Sequence, residues 1–274
     1  MKLVNLEESF DRLTKFKKRM KMIIVANRFA KIVGSLVKMF SYIFHFIFPN
    51  KRFTIPTHSK AIIRPKKNTI IPKIIWQTNF TNRVTLPLYI NYLYNRLMSL
   101  DYEYRYVSTE DRAIFLEKNA PKNLYNAYSQ LIDGASQADF WRMFVLYHTG
   151  GIYLDIDAHL VWKLSSIIKP KDREVFLLNK KEYTNYFIAS SKNNSTIKDT
   201  LNIIVENIEN KKIGGGVYDL TGPTTLNIAI GDKIVNHRFY RITCIQGSFT
   251  NEYFQYIDKP KGKWTHAKKD ELLK

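Results

Sequence analysis

The chain contains one cysteine, Cys244, in 274 residues. A lone cysteine makes no internal disulfide and no cysteine-based metal site, so metal chemistry falls to oxygen or histidine ligands in a reducing compartment. Acidic residues are also scarce, 24 Asp+Glu against 43 Lys+Arg. The imbalance is uneven. Residues 1–75 hold 17 of the basic residues and 3 of the acidic ones, a net charge of +14, which leaves +5 for residues 76–274. Basicity confined to an N-terminal segment points away from nucleic acid and toward an anionic membrane. The chain shows no small-residue cleavage site of a removed signal, no internal repeat and no low-complexity tract. What is present, 45% hydrophobic and 14% aromatic residues, suffices for one domain with a full core plus an appendage, and excludes disorder as the main state.

The appendage is residues 1–50. Between Met22 and Phe46 the polar residues Arg28, Lys31, Ser35, Lys38, Tyr42 and His45 recur at spacings of three and four, one stripe of a helix opposite a broad apolar face. Three readings are open: a helix lying in a membrane interface with its stripe on the headgroups, a spanning helix, or a helix packed on the domain. Arg28, Lys31 and Lys38 would each cost about 2.5–3.5 kcal/mol near a bilayer centre. Residues 1–21 and 50–75 carry equal numbers of Lys and Arg, which gives a span no orientation. The in-plane reading meets both objections, with residues 15–50 on an anionic membrane at its cytoplasmic face. A Lys-, Ile- and Asn-rich composition with little cysteine fits a bacterium, and hence its inner membrane.

Residues 51–67, with Pro56 and Pro65 and no apolar period, read as a linker, and residues 68–274 as the domain. Strands are expected at Ile70–Gln77, Tyr102–Val107, Glu174–Leu178, Tyr186–Ser190 and Phe239–Ile245. Helices are expected at Leu86–Leu100, Thr109–Asn119 capped by Thr109, Pro121–Leu131, Gly134–His148 capped by Ser136, and Ile197–Ile208. Strands alternating with helices imply an α/β architecture around a mostly parallel sheet.

The unusual stretch is "GGIYLDID", Gly150 to Asp157. As a strand, it sets Tyr153, Asp155 and Asp157 on one face and Ile152, Leu154 and Ile156 in the core. Two carboxylates ~6.5 Å apart on one face can hold a small hard cation together, and unpaired they would repel. Bare Asp-x-Asp is weak evidence, since a solvated strand edge also contains it.

The run Ala135-Ser-Gln-Ala-Asp-Phe-Trp-Arg-Met-Phe-Val-Leu-Tyr-His-Thr-Gly-Gly-Ile-Tyr-Leu-Asp-Ile-Asp157 resembles the sugar-binding DXD region of glycosyltransferase family 32 and of the large clostridial glucosylating toxins. Asp139, Arg142, Gly150, Gly151, Tyr153, Asp155 and Asp157 fall on the family pattern without a gap, with Gln137-Ala138 where the family has Ala-Ser. Ile71–Gln77, Asn185–Ser190 and Thr221–Pro223 resemble outlying family segments in order, so the resemblance covers about residues 70 to 266.

The resemblance implies a GT-A-type domain that uses Mn²⁺ or Mg²⁺ and a nucleotide-sugar donor, a UDP-sugar, with retention at the anomeric carbon. It implies Asp157 on the metal, with Asp155 on metal or ribose, and Asp139 and Arg142 on the sugar. Tyr153 and Asn185 become donor contacts. Trp76, at the end of the first strand, is read either as a stacking partner for the base or as a core residue. His266 is read either as a C-terminal metal ligand or as a lone surface histidine. The acceptor expected is a glycan or lipid-linked glycan, in surface (capsular) polysaccharide synthesis. The competing readings are a metal-dependent nucleotidyl- or phosphotransferase and a non-catalytic basic membrane adaptor.

Overall fold

The structure is a computed structural model that describes residues 2–65, 68–260 and 262–274, the side chains of residues 2–13, 16 and 269 excepted. Its strands in chain order are β1 (Phe53–Thr54), β2 (His58–Ser59), β3 (Ile74–Thr78), β4 (Arg83–Val84), β5 (Glu103–Val107), β6 (Gly151–Leu154), β7 (Ala158–Leu160), β8 (Glu174–Asn179), β9 (Glu182–Ser190), β10 (His237–Phe239) and β11 (Cys244–Gln246). Seven of them form the main sheet in the order β10-β8-β9-β6-β3-β5-β2. Its centre, β6-β3-β5, is parallel, as is the β10–β8 pair, while β2 and β9 run antiparallel to their neighbours. The helices are α1 (Lys2–Ile47), α2 (Leu86–Met98), α3 (Thr109–Asn119), α4 (Lys122–Gln130), α5 (Gly134–His148), α6 (Leu164–Ile167), α7 (Ser195–Glu209), α8 (Gly216–Leu220), α9 (Pro223–Ile230) and α10 (Glu252–Tyr256). This is the expected α/β architecture with an N-terminal helix.

Alternation along the central strands divides the interior in two. On β3, Ile75 enters one core and Trp76 the other; on β6, Ile152 and Leu154 enter the first and Tyr153 the second; β9 splits Phe187 and Ala189 from Ile188 in the same way. Both faces are covered, which is why these strands read as continuous apolar runs rather than as alternating ones.

Several local expectations are corrected. Residues 51–67 are not a plain linker: β1 pairs with β4, and β2 closes the edge of the main sheet beside β5; Lys66 and Lys67 lie outside the described residues, as does Met1 of the appendage. Ser108, not Thr109, caps α3 through a capping box with Asp111. Asp133, not Ser136, caps α5, its Oδ2 accepting from the backbone N–H groups of Ala135 and Ser136 at 2.9 Å. The apolar run at 239–245 is cut by a 3₁₀ turn, Tyr240–Ile242, so its two ends join different sheets.

Helix α1 packs on the body along a seam beside the polar stripe, not with its broad apolar face. Ile23, Asn27, Ala30, Ser41 and His45 are buried against the domain. Of the stripe residues only His45 is buried; Lys38 and the half-exposed Tyr42 reach the domain with their polar ends, and Arg28, Lys31 and Ser35 stay exposed. Lys38 Nζ donates to the Gly247 carbonyl at 3.1 Å, Tyr42 OH accepts from Asn251 Nδ2 at 2.7 Å, and His45 Nε2 accepts from the Leu86 N–H at 3.1 Å. Small side chains at Ala30, Gly34 and Ser41 let the helix backbone come close, so the seam is built from small and polar residues. The bulky ones, Val25, Phe29, Ile32, Leu36, Met39, Ile43 and Ile47, recur at three and four on the outer face and stay exposed.

Candidate active site

The site is assembled where α5, β6 and β9 meet. Helix α5 carries Asp139 and Arg142 one turn apart on its buried face. Thr149 caps its C-terminus, and Gly150 and Gly151, at φ of 75° and 115°, reverse the chain into β6. A Cβ on Gly150 would lie 2.8 Å from the Lys192 nitrogen, and one on Gly151 would lie 2.8 Å from the Ile74 oxygen, so no larger residue fits this turn.

Strand β6 ends at Leu154, which corrects the expectation of one strand running through Asp157. Asp155 to Asp157 form a turn closed by the Ala158 N–H on the Asp155 carbonyl at 3.0 Å, and β7 follows. The turn is held from two neighbouring strands: the Asp155 N–H donates to the Tyr186 carbonyl at 2.9 Å, and Gln77 Nε2 donates to the Asp155 carbonyl at 3.1 Å. The turn, rather than strand alternation, therefore aims the two carboxylates. Tyr153 remains on their side, its hydroxyl donating to Asp155 Oδ1 at 2.7 Å.

Arg142 is the hub. Its Nη2 lies 3.1 Å from Asp139 Oδ1 and 3.3 Å from Asp155 Oδ1, its Nη1 donates to the Asn185 carbonyl at 2.8 Å, and its guanidinium covers the Tyr153 ring at 4.3 Å. Asp139 is completed by Asn185 Nδ2 at 3.0 Å and the Thr221 hydroxyl at 3.2 Å. Asp157 is tied to Asp155 by Gln246, whose Nε2 donates to Asp155 Oδ2 at 2.9 Å and Asp157 Oδ1 at 3.3 Å.

These groups open on a cavity of about 370 Å³ lined by Asp139, Arg142, Tyr153, Asp155, Asn185 and Gln246 among others. Asp157 does not line it and reaches it through Gln246. Burial pushes the Asp139 carboxyl up to about 7 against the pull of Arg142. Burial, and then the charge of Asp155, pushes Asp157 up to about 7 as well, and burial raises Asp155. Burial works against the Arg142 guanidinium, yet Asp155, Tyr153 and Asp139 outweigh it and hold the pKa above the ordinary arginine value. Burial disfavours the charged forms of the three carboxylates grouped here, and a divalent cation would favour them. The donors are hard oxygens, the ligands Mg²⁺ and Mn²⁺ take. Among the described residues no three His, Cys, Asp or Glu side chains converge as a metal cage, so Asp155 and Asp157 are the charged protein ligands on offer.

Residues 87–174 match the family described as glycosyltransferase sugar-binding region containing DXD motif. The chain carries a glycosyltransferase domain. The matched segment contains Asp139, Arg142, Tyr153, Asp155 and Asp157, the residues just described. Among solved structures, the chain is similar to the PaToxG glycosyltransferase at 23% identity and a TM-score of 0.50, over 60% of this chain and 69% of that one. A second similar structure is the ligand-free glycosyltransferase domain of the YGT toxin, at 13% identity and a TM-score of 0.40, over 54% of each chain. None of the curated proteins matches significantly.

Two expected site residues of the glycosyltransferase lie elsewhere. Trp76 is 3% exposed and part of the core, with its indole N–H on the Gly150 carbonyl and its ring edge-on to Trp141, so it has no face for a base. His266 is exposed, its Nε2 3.5 Å from Glu252, and joins no cluster with the two carboxylates. The cavity instead offers two half-exposed aromatics, Tyr218 and Trp264, with ring centres 6.1 Å apart. It also offers Arg112, 2% exposed, whose guanidinium donates to the hydroxyls of Thr78 and Thr109, each at 3.0 Å, and makes no ion pair with an acid among the described residues. Sequence reasoning missed Gln246, Arg112, Tyr218 and Trp264. Trp264 had a signal in "KWTH"; the other three had none, since each reaches the site only through the fold.

Proposed function

We propose that the protein transfers a sugar from a nucleotide-sugar donor, a UDP-sugar, to a glycan or lipid-linked glycan, with retention of anomeric configuration and with Mn²⁺ or Mg²⁺. The observation that carries this reading is the single network joining Arg142 to Asp139 and Asp155 at the wall of a cavity of about 370 Å³. Its donors and acceptors suit sugar hydroxyls: Arg142 offers a planar fork and Asp139 an acceptor, and Asn185 and Thr221 hold both in place.

Asp155 and Asp157 would hold the cation, which supplies Lewis-acid neutralisation of the leaving diphosphate. The chain's own part is to keep the carboxylates aimed through Tyr153 and Gln77, and to exclude water by burial. Arg112, a buried cation without an acid partner among the described residues, suits a donor phosphate. The third carboxylate beside the pair, Asp139, is bound by Arg142, Asn185 and Thr221 rather than left to a metal, so a nucleotidyl transfer, which would call for a third acid at the metal, is the weaker reading.

The membrane is the second element of the proposal. α1 turns a stripe of bulky apolar side chains outward, and Lys17, Lys18, Arg19 and Lys21 stand exposed at its N-terminal side. That pairing of apolar face and cations matches an anionic bilayer surface. Among the described residues no helix is long and apolar enough to cross a membrane. An in-plane α1 at the cytoplasmic face of a bacterial inner membrane would bring the cavity near a lipid-linked acceptor, the situation of surface polysaccharide synthesis.

Incubation with a panel of nucleotide sugars and Mn²⁺ tests the reaction. Release of nucleoside diphosphate with sugar transferred or hydrolysed supports it. Release of nucleoside monophosphate or pyrophosphate assigns a nucleotidyl transferase instead, and no turnover with any donor supports the adaptor.

A further inference from the structure

Strand β11 runs antiparallel to β7 with Gln246 opposite Ala158, and the Gly247 N–H extends the ladder to the Asp157 carbonyl at 3.0 Å. This register lays the Gln246 side chain across the carboxylate turn. Its amide N–H group bonds one oxygen of each acid, Asp155 Oδ2 and Asp157 Oδ1. The other oxygen of Asp155 is already engaged by the Tyr153 hydroxyl and faces Arg142. Gln246 thus covers Asp155 Oδ2 and Asp157 Oδ1, one free oxygen of each acid, with a partial positive charge standing where a full one belongs.

The segment that follows, Gly247 to Phe249, is pinned on two sides. Phe249 is buried, its ring 5.0 Å from that of Tyr94 and 5.4 Å from that of His159. From the outside α1 lies directly on it. Lys38 Nζ donates to the Gly247 carbonyl at 3.1 Å, and Gly34 passes so close that a Cβ there would lie 2.5 Å from the Ser248 oxygen. Gly34 lies in the middle of a helix, where glycine costs about 1 kcal/mol against alanine. The close approach to Ser248 is the physical reason for it here.

We propose that Gln246 is the third protein ligand of the cation held by Asp155 and Asp157, and that α1 seats the segment that carries it. A half-turn of the amide exchanges Nε2 for Oε1 without moving the backbone, and converts a donor shared by two acids into a neutral oxygen ligand. The inference rests on the reading of Asp155 and Asp157 as cation-holding residues. It gives α1 a part in building the metal site as well as a place on a membrane.

The test is Mn²⁺ binding to the full chain with the metal alone, read by the electron paramagnetic resonance signal of free Mn²⁺, with the unfolding midpoint of each variant measured alongside. Gln246→Met should weaken Mn²⁺ by at least about ten- to a hundredfold, the loss typical even of groups that only orient the ligands. Gln246→Glu should bind at least as tightly as wild type. Lys38→Met, which removes the bond to Gly247 without a clash, should weaken Mn²⁺ several-fold. Wild-type affinity in Gln246→Met, with affinity lost in Asp157→Asn, overturns the ligand assignment. Wild-type affinity in Asp157→Asn overturns the cation reading beneath it. Wild-type affinity in Lys38→Met with loss in Gln246→Met overturns the role of α1. A Gln246→Glu protein that folds yet binds no better than Gln246→Met shows the side chain to be structural only, and also overturns the assignment.

Discussion

The indole N–H of Trp76 donates to the carbonyl oxygen of Gly150 at 3.0 Å, which ties the first central strand to the turn that launches the carboxylates. The Gly150 oxygen is buried there, so Trp76→Phe leaves it without a donor, at a cost of about 1–3 kcal/mol. Denaturant unfolding should show that loss. Nucleoside diphosphate affinity at saturating folded protein should hold within about threefold, whereas a base-stacking tryptophan would lose considerably more, since stacking on a base is worth about 1–3 kcal/mol.

Arg142→Lys separates sugar recognition from nucleotide binding. An ammonium cannot reach Asp139, Asp155 and the Asn185 carbonyl together as the planar guanidinium does. Loss of one charge-assisted bond costs roughly 1.5–3 kcal/mol, about ten- to over a hundredfold in transfer rate. Equal losses in rate and in nucleoside diphosphate affinity, or none in either, would show that Arg142 does not read the sugar.

The pH dependence of stability follows from Asp139, whose carboxyl is raised by burial to about 7. A carboxyl with a native pKa above its unfolded value keeps a proton that the unfolded chain gives up. Stability should therefore fall as pH rises from about 4 to about 7 and level off above, by about 1.4 kcal/mol for each tenfold difference in proton affinity between the folded and unfolded chain. Asp139→Asn removes this contribution. Thermal unfolding across pH 4–8 should show wild type losing a few kcal/mol relative to the variant over that window; parallel curves would refute a native pKa near 7.

The outer face of α1 is the membrane prediction. Phe29, Leu36 and Ile43 are 68%, 54% and 57% exposed, so changing all three to serine leaves the packed seam intact. Fully burying such a side chain is worth about 1.5–3 kcal/mol, and even partial insertion makes the triple variant bind anionic vesicles at least about tenfold more weakly. The unfolding midpoint without vesicles should not change. Vesicle binding indifferent to these substitutions would remove the helix face from the membrane.

Much of the site was legible in the primary structure. Asp139 and Arg142 three apart on a helix, two glycines, and an apolar strand followed by Asp-Ile-Asp are local patterns, and each acts through its neighbours in sequence. The same holds for the α/β character, because hydrophobic periodicity is a property of short windows. Trp76 and His266 could not be placed this way. A tryptophan at a strand end faces a core or a ligand depending on which helix covers that face, and here Trp141 of α5 covers it.

The sequence alone therefore determined which residues carry charge, where the longer helices α2 to α5 and α7 and the strands β3, β5 and β8 fall to within a few positions, and that α1 has two unlike faces. Tertiary structure decided which of those faces meets the domain, since the close fit of Ala30, Gly34 and Ser41 depends on a surface made by residues far along the chain. It also decided that a turn rather than a strand presents Asp155 and Asp157, and that Gln246, 89 residues beyond Asp157, lies across them. Side-chain periodicity is local and can be read directly, whereas contacts between distant segments exist only once the sheet has set its register.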